Sequence, residues 1–403
     1  MRGVVQQGGG KASPILLISN GYGEDLLAGV LAQALHRQRP ELEVWAFPVV
    51  GEGRALQRFP VKIVGVQEEM PSGGWVRQSW KALREDIRAG FLQLTWRQWQ
   101  ALKALRARVS FTVPVGDIYA LFLAYRFVRR PIVFVPTAKS DYIRGHLALE
   151  KHLMKKYCRL VLPRDELTAE GLRRSGIPAK YVGNLMMDAI FPSGERLYGT
   201  EERKWVIGIL PGSRNEAYLN LPLLSLAMDT IVEELPDAYF AVALAGNLSL
   251  EKAAEILIQN DWQPEAGAPH RERERFLAKN RACLLLAQGR FGDILAASRV
   301  VLGLAGTANE QAAGLGKPVV AFPGPGSQFT KRFLAAQKRL LGDALEAAEG
   351  PIPAGQAVLS ILADEEKYRR MAACGRRRMG EPGGAERMAA EILQLWDREM
   401  EQR

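Results

Sequence analysis

Two glycine-containing turns in the second half of the chain have the composition of an anion site. Pro211–Arg214 (PGSR) follows the apolar run Trp205–Leu210, and Gly306-Thr307 follows the apolar run Val300–Leu304. Backbone N–H groups in such a turn, and at the N-terminus of the helix after it, favour phosphate. Each turn alone is equally typical of an ordinary strand-to-helix crossover. Two of them in one half of the chain indicate a diphosphate site.

Side chains near these turns would complete that site. Arg214 can bind a diphosphate through two parallel hydrogen bonds. A helix is predicted over Ala308–Leu315 with Thr307 as its N-cap, and Glu310, one turn inside, could accept hydrogen bonds from a ribose. The residues assigned to this site by position are Gly212, Ser213, Arg214, Gly306, Thr307, Ala308, Glu310, Gln328 and Gln337.

A carboxylate in the first half lies where α/β enzymes place their chemistry. The predicted strand Val109–Val115 runs into Gly116-Asp117, so Asp117 would stand at the carboxyl end of that strand. There it could act as a general base on a hydroxyl group. It would serve equally well as the N-cap of a helix over Ile118–Arg126. Both interpretations remain open at this stage.

A second glycine turn, Gly21–Asp25 (GYGED), lies between a predicted strand over Pro14–Asn20 and a helix from Leu26. Its spacing does not match a dinucleotide fingerprint. Its two acidic residues would repel a phosphate and favour a hydroxylated or amine-bearing group. A purely structural turn is equally compatible. The residues assigned to an acceptor are Gly21, Gly23, Glu24 and Asp25 in this turn and, farther along the chain, Asn184.

A basic, tryptophan-rich stretch separates these two features of the first half. A long helix is predicted from Val76 to Arg108, and residues 77–108 hold eight Lys and Arg against Glu85 and Asp86. Interfacial tryptophans beside basic residues suit an anionic membrane surface. The alternative is a packed helix with a solvated basic face; nucleic acid is disfavoured because no binding motif accompanies the charge. The residues expected to face a membrane are Trp75, Trp80, Lys81, Arg84, Arg88, Trp96 and Trp99.

Charge and composition bound the class of protein. Of the net charge of +10, residues 1–195 carry 28 Lys and Arg against 17 acids, whereas residues 196–403 carry 26 against 27. The three cysteines are far apart and the four histidines lack metal-ligand spacing, which indicates a reducing compartment and no metal site. Neither a signal peptide nor an apolar run of about 18 residues is present. We therefore expect a cytoplasmic protein.

The order of predicted elements indicates an α/β fold made of two Rossmann-like, doubly wound domains with a cleft between them. The predicted division is a tail over 1–12, a first domain over 13–195, a second over 196–385, and a C-terminal helix over 386–403 that packs back on the first domain.

With these motifs the sequence resembles the inverting GT-B glycosyltransferases, and among them the lipid-A-disaccharide synthases and the related cyanobacterial proteins. The resemblance implies a UDP-sugar on the second domain, its ribose held by Glu310 and its diphosphate by Gly306-Thr307, with Arg214 as a functional residue. VGDIY resembles the segment that bears the proposed catalytic aspartate, here Asp117. Asn184 stands where a histidine is common, and SNGYGED replaces the usual GEASGD.

The resemblance also implies a reaction and its partners. A sugar, GlcNAc-type in the family, would pass with inversion from UDP to a lipid-linked acceptor, without a metal or cofactor, on the inner face of the plasma membrane. A homodimer through the final helices is known for the related synthase. Two alternatives remain: an epimerase or hydrolase of UDP-sugars on the same fold, and a non-catalytic nucleotide-sugar-binding protein.

Overall fold

The computed structural model describes residues 13–66, 68, 91–200 and 203–402. The predicted tail over 1–12 therefore lies outside the described residues. So do five of the residues expected to face a membrane: Trp75, Trp80, Lys81, Arg84 and Arg88. Of the long helix predicted from Val76 to Arg108, the structure describes Phe91–Leu105.

The chain forms two compact units. Unit 1 combines Met1–Leu185 with Pro382–Arg403, and unit 2 is Met186–Glu381. The boundary predicted from the sequence lay between residues 195 and 196, so the segment 186–195 is reassigned to unit 2. Asp293 binds this segment to the rest of unit 2. Its buried carboxylate accepts hydrogen bonds from the backbone N–H of Ser193 at 2.7 Å and from the Ser193 hydroxyl at 2.9 Å.

Unit 1 is built on a six-stranded parallel sheet in the order β3-β2-β1-β4-β5-β6. Its central strands are wholly buried and apolar, as expected for a parallel sheet covered on both faces. The chain winds outward in one direction from β1 and in the other from β4, so the topological switch point lies between them. The strands are β1 Ile15–Ser19, β2 Val44–Pro48, β3 Lys62–Ile63, β4 Phe111–Gly116, β5 Ile132–Pro136 and β6 Cys158–Val161.

Helices cover this sheet, and one π-helical turn, Ala124–Val128, follows the third of them. The final helix of the chain packs within unit 1: Gln38 donates to the carbonyl of Glu386 at 2.7 Å, and Trp396 donates to the buried hydroxyl of Ser110 at 2.9 Å. The helices are α1 Tyr22–Gln38, α2 Phe91–Leu105, α3 Ile118–Leu123, α4 Ala148–Tyr157, α5 Glu166–Arg174 and, at the C-terminus, α13 Gly384–Glu401.

Unit 2 repeats the doubly wound plan with eight strands in the order β14-β13-β12-β7-β8-β11-β10-β9. The first six of that order are parallel, and β10 and β9 add an antiparallel edge. Its switch point lies between β7 and β12. The strands are β7 Val206–Leu210, β8 Tyr239–Leu244, β9 Gln263–Pro264, β10 Glu274–Lys279, β11 Ala282–Gln288, β12 Val300–Gly303, β13 Val319–Ala321 and β14 Leu345–Ala347.

Seven helices are described in unit 2, among them α9 between β12 and β13, as predicted for the β-α-β unit at 300–323. In the described part of the chain, no helix is both long and apolar enough to cross a membrane. The helices are α6 Ala217–Glu234, α7 Leu250–Ile258, α8 Phe291–Ala297, α9 Thr307–Gly314, α10 Lys331–Leu341, α11 Pro351–Ala363 and α12 Glu365–Met379.

Candidate functional site

The two glycine turns of unit 2 follow the two strands that flank its switch point. β7 and β12 are hydrogen-bonded neighbours, and Leu304 continues the pairing by donating its N–H to the carbonyl of Leu210 at 2.9 Å. Gly212 has φ +107, and a Cβ there would come within 3.4 Å of the Leu304 carbonyl. Both turns therefore leave the same edge of the sheet side by side, where doubly wound folds bind ligands.

The helix after the second turn begins one residue earlier than predicted. Gly306, not Thr307, is the N-cap of α9, and Thr307 is the first helical residue. Gly306 accepts hydrogen bonds from the N–H groups of Asn309 at 3.1 Å and Glu310 at 3.3 Å. The first N–H groups of a helix have no partner within it, so those of Thr307 and Ala308 are available to an anion. Glu310 is half-buried in this first turn.

The buried side-chain amides of Gln337 and Asn309 hold this turn through hydrogen bonds. Gln337 on α10 donates to the carbonyls of Ala305 at 3.1 Å and Gly306 at 3.0 Å, and it accepts from Asn309 at 3.0 Å. Asn309 also donates to Gly303 at 3.0 Å. Gln337 is almost wholly buried. Its side-chain amide therefore positions Gly306, and direct contact of Gln337 with a ligand stays a prediction.

Replacing Gln337 should destabilise unit 2. Gln337→Ala leaves the carbonyls of Ala305 and Gly306 without these donors, and an unsatisfied buried polar group costs about 1–3 kcal/mol. We expect the free energy of unfolding to fall by about that amount, measured by urea denaturation. An unchanged value would show that the turn is held without Gln337.

The first turn is joined to a later loop by a carboxylate. Glu216, two residues after Arg214, accepts from the N–H and hydroxyl of Ser327 at 2.9 and 2.8 Å and from the N–H of Gln328 at 3.1 Å. Arg214 is half-buried, whereas Ser213 and Gln328 are exposed. The structure thus brings the Arg214 turn and the Gln328 loop together, and Glu216 is the residue that the sequence did not indicate.

An aromatic ring beside the second turn was also missed. Phe333 on α10 is 39% exposed, and a Cβ at Gly306 would lie 3.5 Å from its Cζ. The hydroxyl of Thr330 caps α10 by accepting from the N–H of Phe333 at 3.2 Å. Phe333 and Gln337 are four residues apart and so share one face of the helix. The anion-type turn therefore has one apolar wall.

Asp117 stands at the switch point of unit 1. It is the N-cap of α3, and its Oδ1 accepts from the N–H of Tyr119 at 2.8 Å and from the side-chain amide of Asn20 at 2.6 Å. Asn20 follows β1, and Asp117 follows β4. The two loops approach closely because Gly116 has no side chain: with φ +132, a Cβ there would collide with Asn20. The capping role of Asp117 is thus present, and it is compatible with a role as base.

The GYGED turn is shorter than predicted because the helix starts inside it. Gly21 is an extended N-cap whose carbonyl accepts from Asp25 at 2.8 Å, and α1 begins at Tyr22. Glu24 and Asp25 therefore lie in the first helical turn, where the helix dipole favours anions. Burial raises the pKa of Glu24, and the nearby charge of Asp117 adds to that rise. Gly23 faces open space.

Asp25 is fully buried, and its Oδ1 accepts from the hydroxyl of Ser19 at 2.5 Å. Among the described residues, Oδ2 meets no hydrogen-bond donor. Burial raises the pKa of this carboxyl to about 6, against the hydrogen bond from Ser19, which lowers it. The hydrogen bond that Asp25 makes thus lies inside the fold, and its contact with an acceptor stays a prediction.

This raised pKa makes the stability of unit 1 depend on pH. The folded protein binds the proton of Asp25 more tightly than the unfolded chain does. The contribution of this group to the free energy of unfolding is therefore fully present below about pH 4 and is lost as pH rises through about 6. A shift of about two pKa units corresponds to about 3 kcal/mol. Asp25→Asn should raise the free energy of unfolding by about that much at pH 8 and very little at pH 4, measured by urea denaturation. An equal effect at both values would contradict the buried-acid account.

The remaining predicted residues are dispersed over unit 1. Asn184 is buried just after Gly183, whose backbone packs against Gly384 of α13. Trp96 is 59% exposed on α2, as expected of a membrane-facing residue. Trp99 packs instead against the core and stacks on Phe127 with 5.1 Å between ring centroids. Trp99 therefore lies on the packed side of α2, and its contact with a membrane stays a prediction.

Within the described ranges, no three His, Cys, Asp or Glu side chains are grouped so that they could hold an ion. Independence from metals stays a prediction that activity measurements must test.

Comparison with known proteins agrees with this architecture. A lipid-A-disaccharide synthase of Azoarcus sp. (strain BH72) is 30% identical over 155 residues, covering 36% of this chain and 35% of the synthase. A second, from Solibacter usitatus (strain Ellin6076), is 26% identical over 322 residues, covering 77% and 74%. The chain thus spans about a third of the first relative and about three quarters of the second. No family model matches.

Solved structures match nearly the whole chain. MurG of Acinetobacter baumannii aligns with a TM-score of 0.56 at 15% identity, over 94% of this chain and 99% of its own. The calicheamicin glycosyltransferase CalG4 gives 0.59 at 15%, over 96% and 99%. A UDP-GlcNAc 2-epimerase from Neisseria meningitidis, bound to UDP-GlcNAc, gives 0.60 at 15%, over 95% and 100%. The chain has the GT-B fold and is related to lipid-A-disaccharide synthase. In this GT-B protein, unit 2 carries the two anion-type turns and unit 1 the carboxylate at the switch point.

Proposed function

We propose that this GT-B protein is a glycosyltransferase that moves a sugar, of GlcNAc type, from a UDP-sugar to a hydroxyl group of a lipid-linked acceptor. The observation that carries the proposal is the pairing of two glycine turns at the switch point of unit 2, with Arg214 and Glu310 beside them. A pair of N–H-rich turns next to a guanidinium matches a diphosphate, and a carboxylate one helical turn away matches a ribose.

The reaction is a single displacement with inversion at the anomeric carbon. Asp117 takes the proton of the acceptor hydroxyl, whose oxygen forms the new bond to the anomeric carbon. The bond from that carbon to the UDP oxygen breaks, and both electrons leave with UDP. Arg214 and the N-terminus of α9 stabilise the charge that develops on the departing diphosphate. Asn20 holds Asp117 in place through its hydrogen bond of 2.6 Å.

Two kinds of relative support the donor. The sequence relatives are named as lipid-A-disaccharide synthases, and the structural relatives include glycosyltransferases and proteins solved with UDP or UDP-GlcNAc. We propose that no metal or cofactor takes part, because Arg214 and the helix N-terminus can supply the positive potential that the leaving group needs. Turnover should accordingly persist in EDTA.

The acceptor side rests on the exposed apolar residues of unit 1. Leu92 and Trp96 are four residues apart on α2 and are 66% and 59% exposed. An apolar helix face at the surface of a basic unit suits an anionic lipid layer. We therefore propose peripheral attachment to the inner face of the plasma membrane, and a homodimer through the final helices.

A second candidate function is epimerisation or hydrolysis of a UDP-sugar. It is favoured by the structural likeness to UDP-GlcNAc 2-epimerases. Such an enzyme would convert UDP-GlcNAc with no lipid present. The alternative of a non-catalytic protein would show nucleotide binding without conversion.

A panel of UDP-sugars tests these functions together. Each donor is incubated with the full-length protein and vesicles made from a bacterial lipid extract, and the products are read by mass. Transfer predicts a lipid that has gained one sugar residue and an equal amount of UDP. A changed UDP-sugar in the absence of lipid would establish the epimerase or hydrolase instead.

A further inference from the structure

A short stretch of unit 1, distinct from the tryptophan-rich helix, holds three large apolar side chains in solvent. Ile143 is 39% exposed, Leu147 49% and Leu149 69%. They fall within seven residues of the loop after β5 and the first turn of α4. Single exposed apolar residues are ordinary on protein surfaces, but a cluster of them is typical of a binding surface. We call residues 143–149 the apolar loop.

The polar groups around the apolar loop fix its conformation. The carbonyl of Ser140 accepts from the N–H groups of Ile143 at 3.0 Å and Arg144 at 2.9 Å. The buried carboxylate of Glu150 accepts from the N–H of Leu147 at 2.9 Å and from Lys139 at 2.6 Å. Ile143 and Leu147 thus stay exposed within a hydrogen-bonded frame.

Basic residues accompany the exposed leucines. The stretch 143–156 contains Arg144 and Lys151 close to the leucines in sequence, and Lys155 and Lys156 in the last turn of α4; its one acid is Glu150. Because Lys139 binds both oxygens of Glu150 at 2.6 Å, that acid is neutralised by a partner outside the stretch. Apolar side chains flanked by basic ones complement the anionic surface of a bilayer, which attracts each Lys or Arg that lies near it.

The apolar loop lies toward the same edge of the sheet as Asp117. α4 ends immediately before β6 and α2 ends shortly before β4, so the C-terminal ends of both helices lie at the amino edge of the parallel sheet. Their N-terminal halves, with Leu149 and Trp96, therefore point toward the carboxyl edge. Both helices pack against the π-helical turn Ala124–Val128. Trp99 of α2 stacks on Phe127 of that turn, and Tyr157 of α4 stacks on Tyr125 with 4.2 Å between ring centroids.

We propose that the apolar loop is a membrane-contact surface that inserts Ile143, Leu147 and Leu149 into an anionic lipid layer, together with the exposed face of α2. The inference builds on the proposed function, because it presents the edge that bears Asp117 to the layer that holds the acceptor. Basic side chains at the rim would bind the lipid headgroups while the leucines enter the acyl region.

Vesicle co-sedimentation of the full-length protein tests this surface without any sugar transfer. Two vesicle types are used: phosphatidylcholine alone, and a mixture of phosphatidylcholine with the anionic lipid phosphatidylglycerol. The double substitution Leu147→Ser, Leu149→Ser should weaken partitioning into the anionic vesicles about tenfold or more. The matched control is Leu219→Ser, Leu226→Ser on α6 of unit 2, two leucines that are also exposed. It should bind as the unchanged protein does.

A second pair of variants separates charge from apolar insertion. Arg144→Gln, Lys151→Gln should weaken binding to anionic vesicles only. The proposal is overturned if Leu147→Ser, Leu149→Ser binds vesicles as the unchanged protein does, or if the pair instead abolishes self-association seen by light scattering. Transfer to a detergent-solubilised acceptor should survive in both variants. Loss of vesicle binding with transfer intact supports the proposal that the apolar loop contacts the membrane. Absence of transfer in the unchanged protein as well as in the variants contradicts the proposed function alone.

Discussion

Asp117→Asn is expected to lower kcat by about 10²–10⁴-fold, the range that a positioned general base contributes. Asparagine is as good an N-cap as aspartate, and its oxygen can accept the same hydrogen bonds from the N–H of Tyr119 and the amide of Asn20. The substitution therefore removes the proton acceptor while keeping the cap of α3. Initial rates of UDP release at saturating donor and lipid measure the effect.

Asp364→Asn is the control for this substitution. Asp364 caps α12 through a hydrogen bond from the N–H of Lys367 at 2.9 Å, and it lies in unit 2 among exposed residues. Its replacement should leave kcat unchanged. Full turnover in Asp117→Asn, with an unchanged melting temperature, would limit Asp117 to the role of a cap.

Glu310→Ala is expected to weaken UDP binding by about 1.5–3 kcal/mol, roughly 10–150-fold in Kd, because charge-assisted hydrogen bonds to the ribose are lost. The Glu310 side chain lies in the first turn of α9, the helix that Gly306 caps. Titration calorimetry with UDP gives the change directly. Glu310→Gln should recover part of the affinity, since its amide oxygen still accepts a hydrogen bond.

The matched control for Glu310 is Glu366, an exposed acid in the first turn of α12 in the same unit. Glu366→Ala removes one negative charge from the first turn of another helix in the same unit and should leave UDP affinity as it is. If Glu310→Ala binds UDP as tightly as the unchanged protein, Glu310 lies outside the donor site.

Much of the local architecture could be predicted because it depends on neighbours in sequence. The apolar runs at 300–304 and 319–322 and the glycines around α9 predicted a β-α-β unit, and the structure confirms it. Two helix starts were misplaced. Gly306 caps α9 in place of Thr307, and α1 begins at Tyr22 and not at Leu26, because the carbonyls of Gly306 and Gly21 accept the first helical hydrogen bonds.

The contacts that hold the sites together could not be predicted, because they join residues far apart in sequence. Asn20 meets Asp117 across 97 positions, and Glu216 meets Ser327 across 111. Neither Asn20 nor Glu216 is marked by composition or spacing. Burial was equally hidden: Asp25 and Gln337 have side chains typical of binding sites, yet the packing of α1 and α10 places both inside the protein.

The most direct test of the central claim is the dependence of UDP release on an acceptor. The full-length protein is incubated with a UDP-GlcNAc-type donor, with and without vesicles of bacterial lipid, and free UDP is measured over time. A glycosyltransferase predicts rapid UDP release only when lipid is present, matched by an equal amount of glycosylated lipid. UDP release, or conversion of the sugar, at the same rate without lipid would contradict transfer to a lipid acceptor.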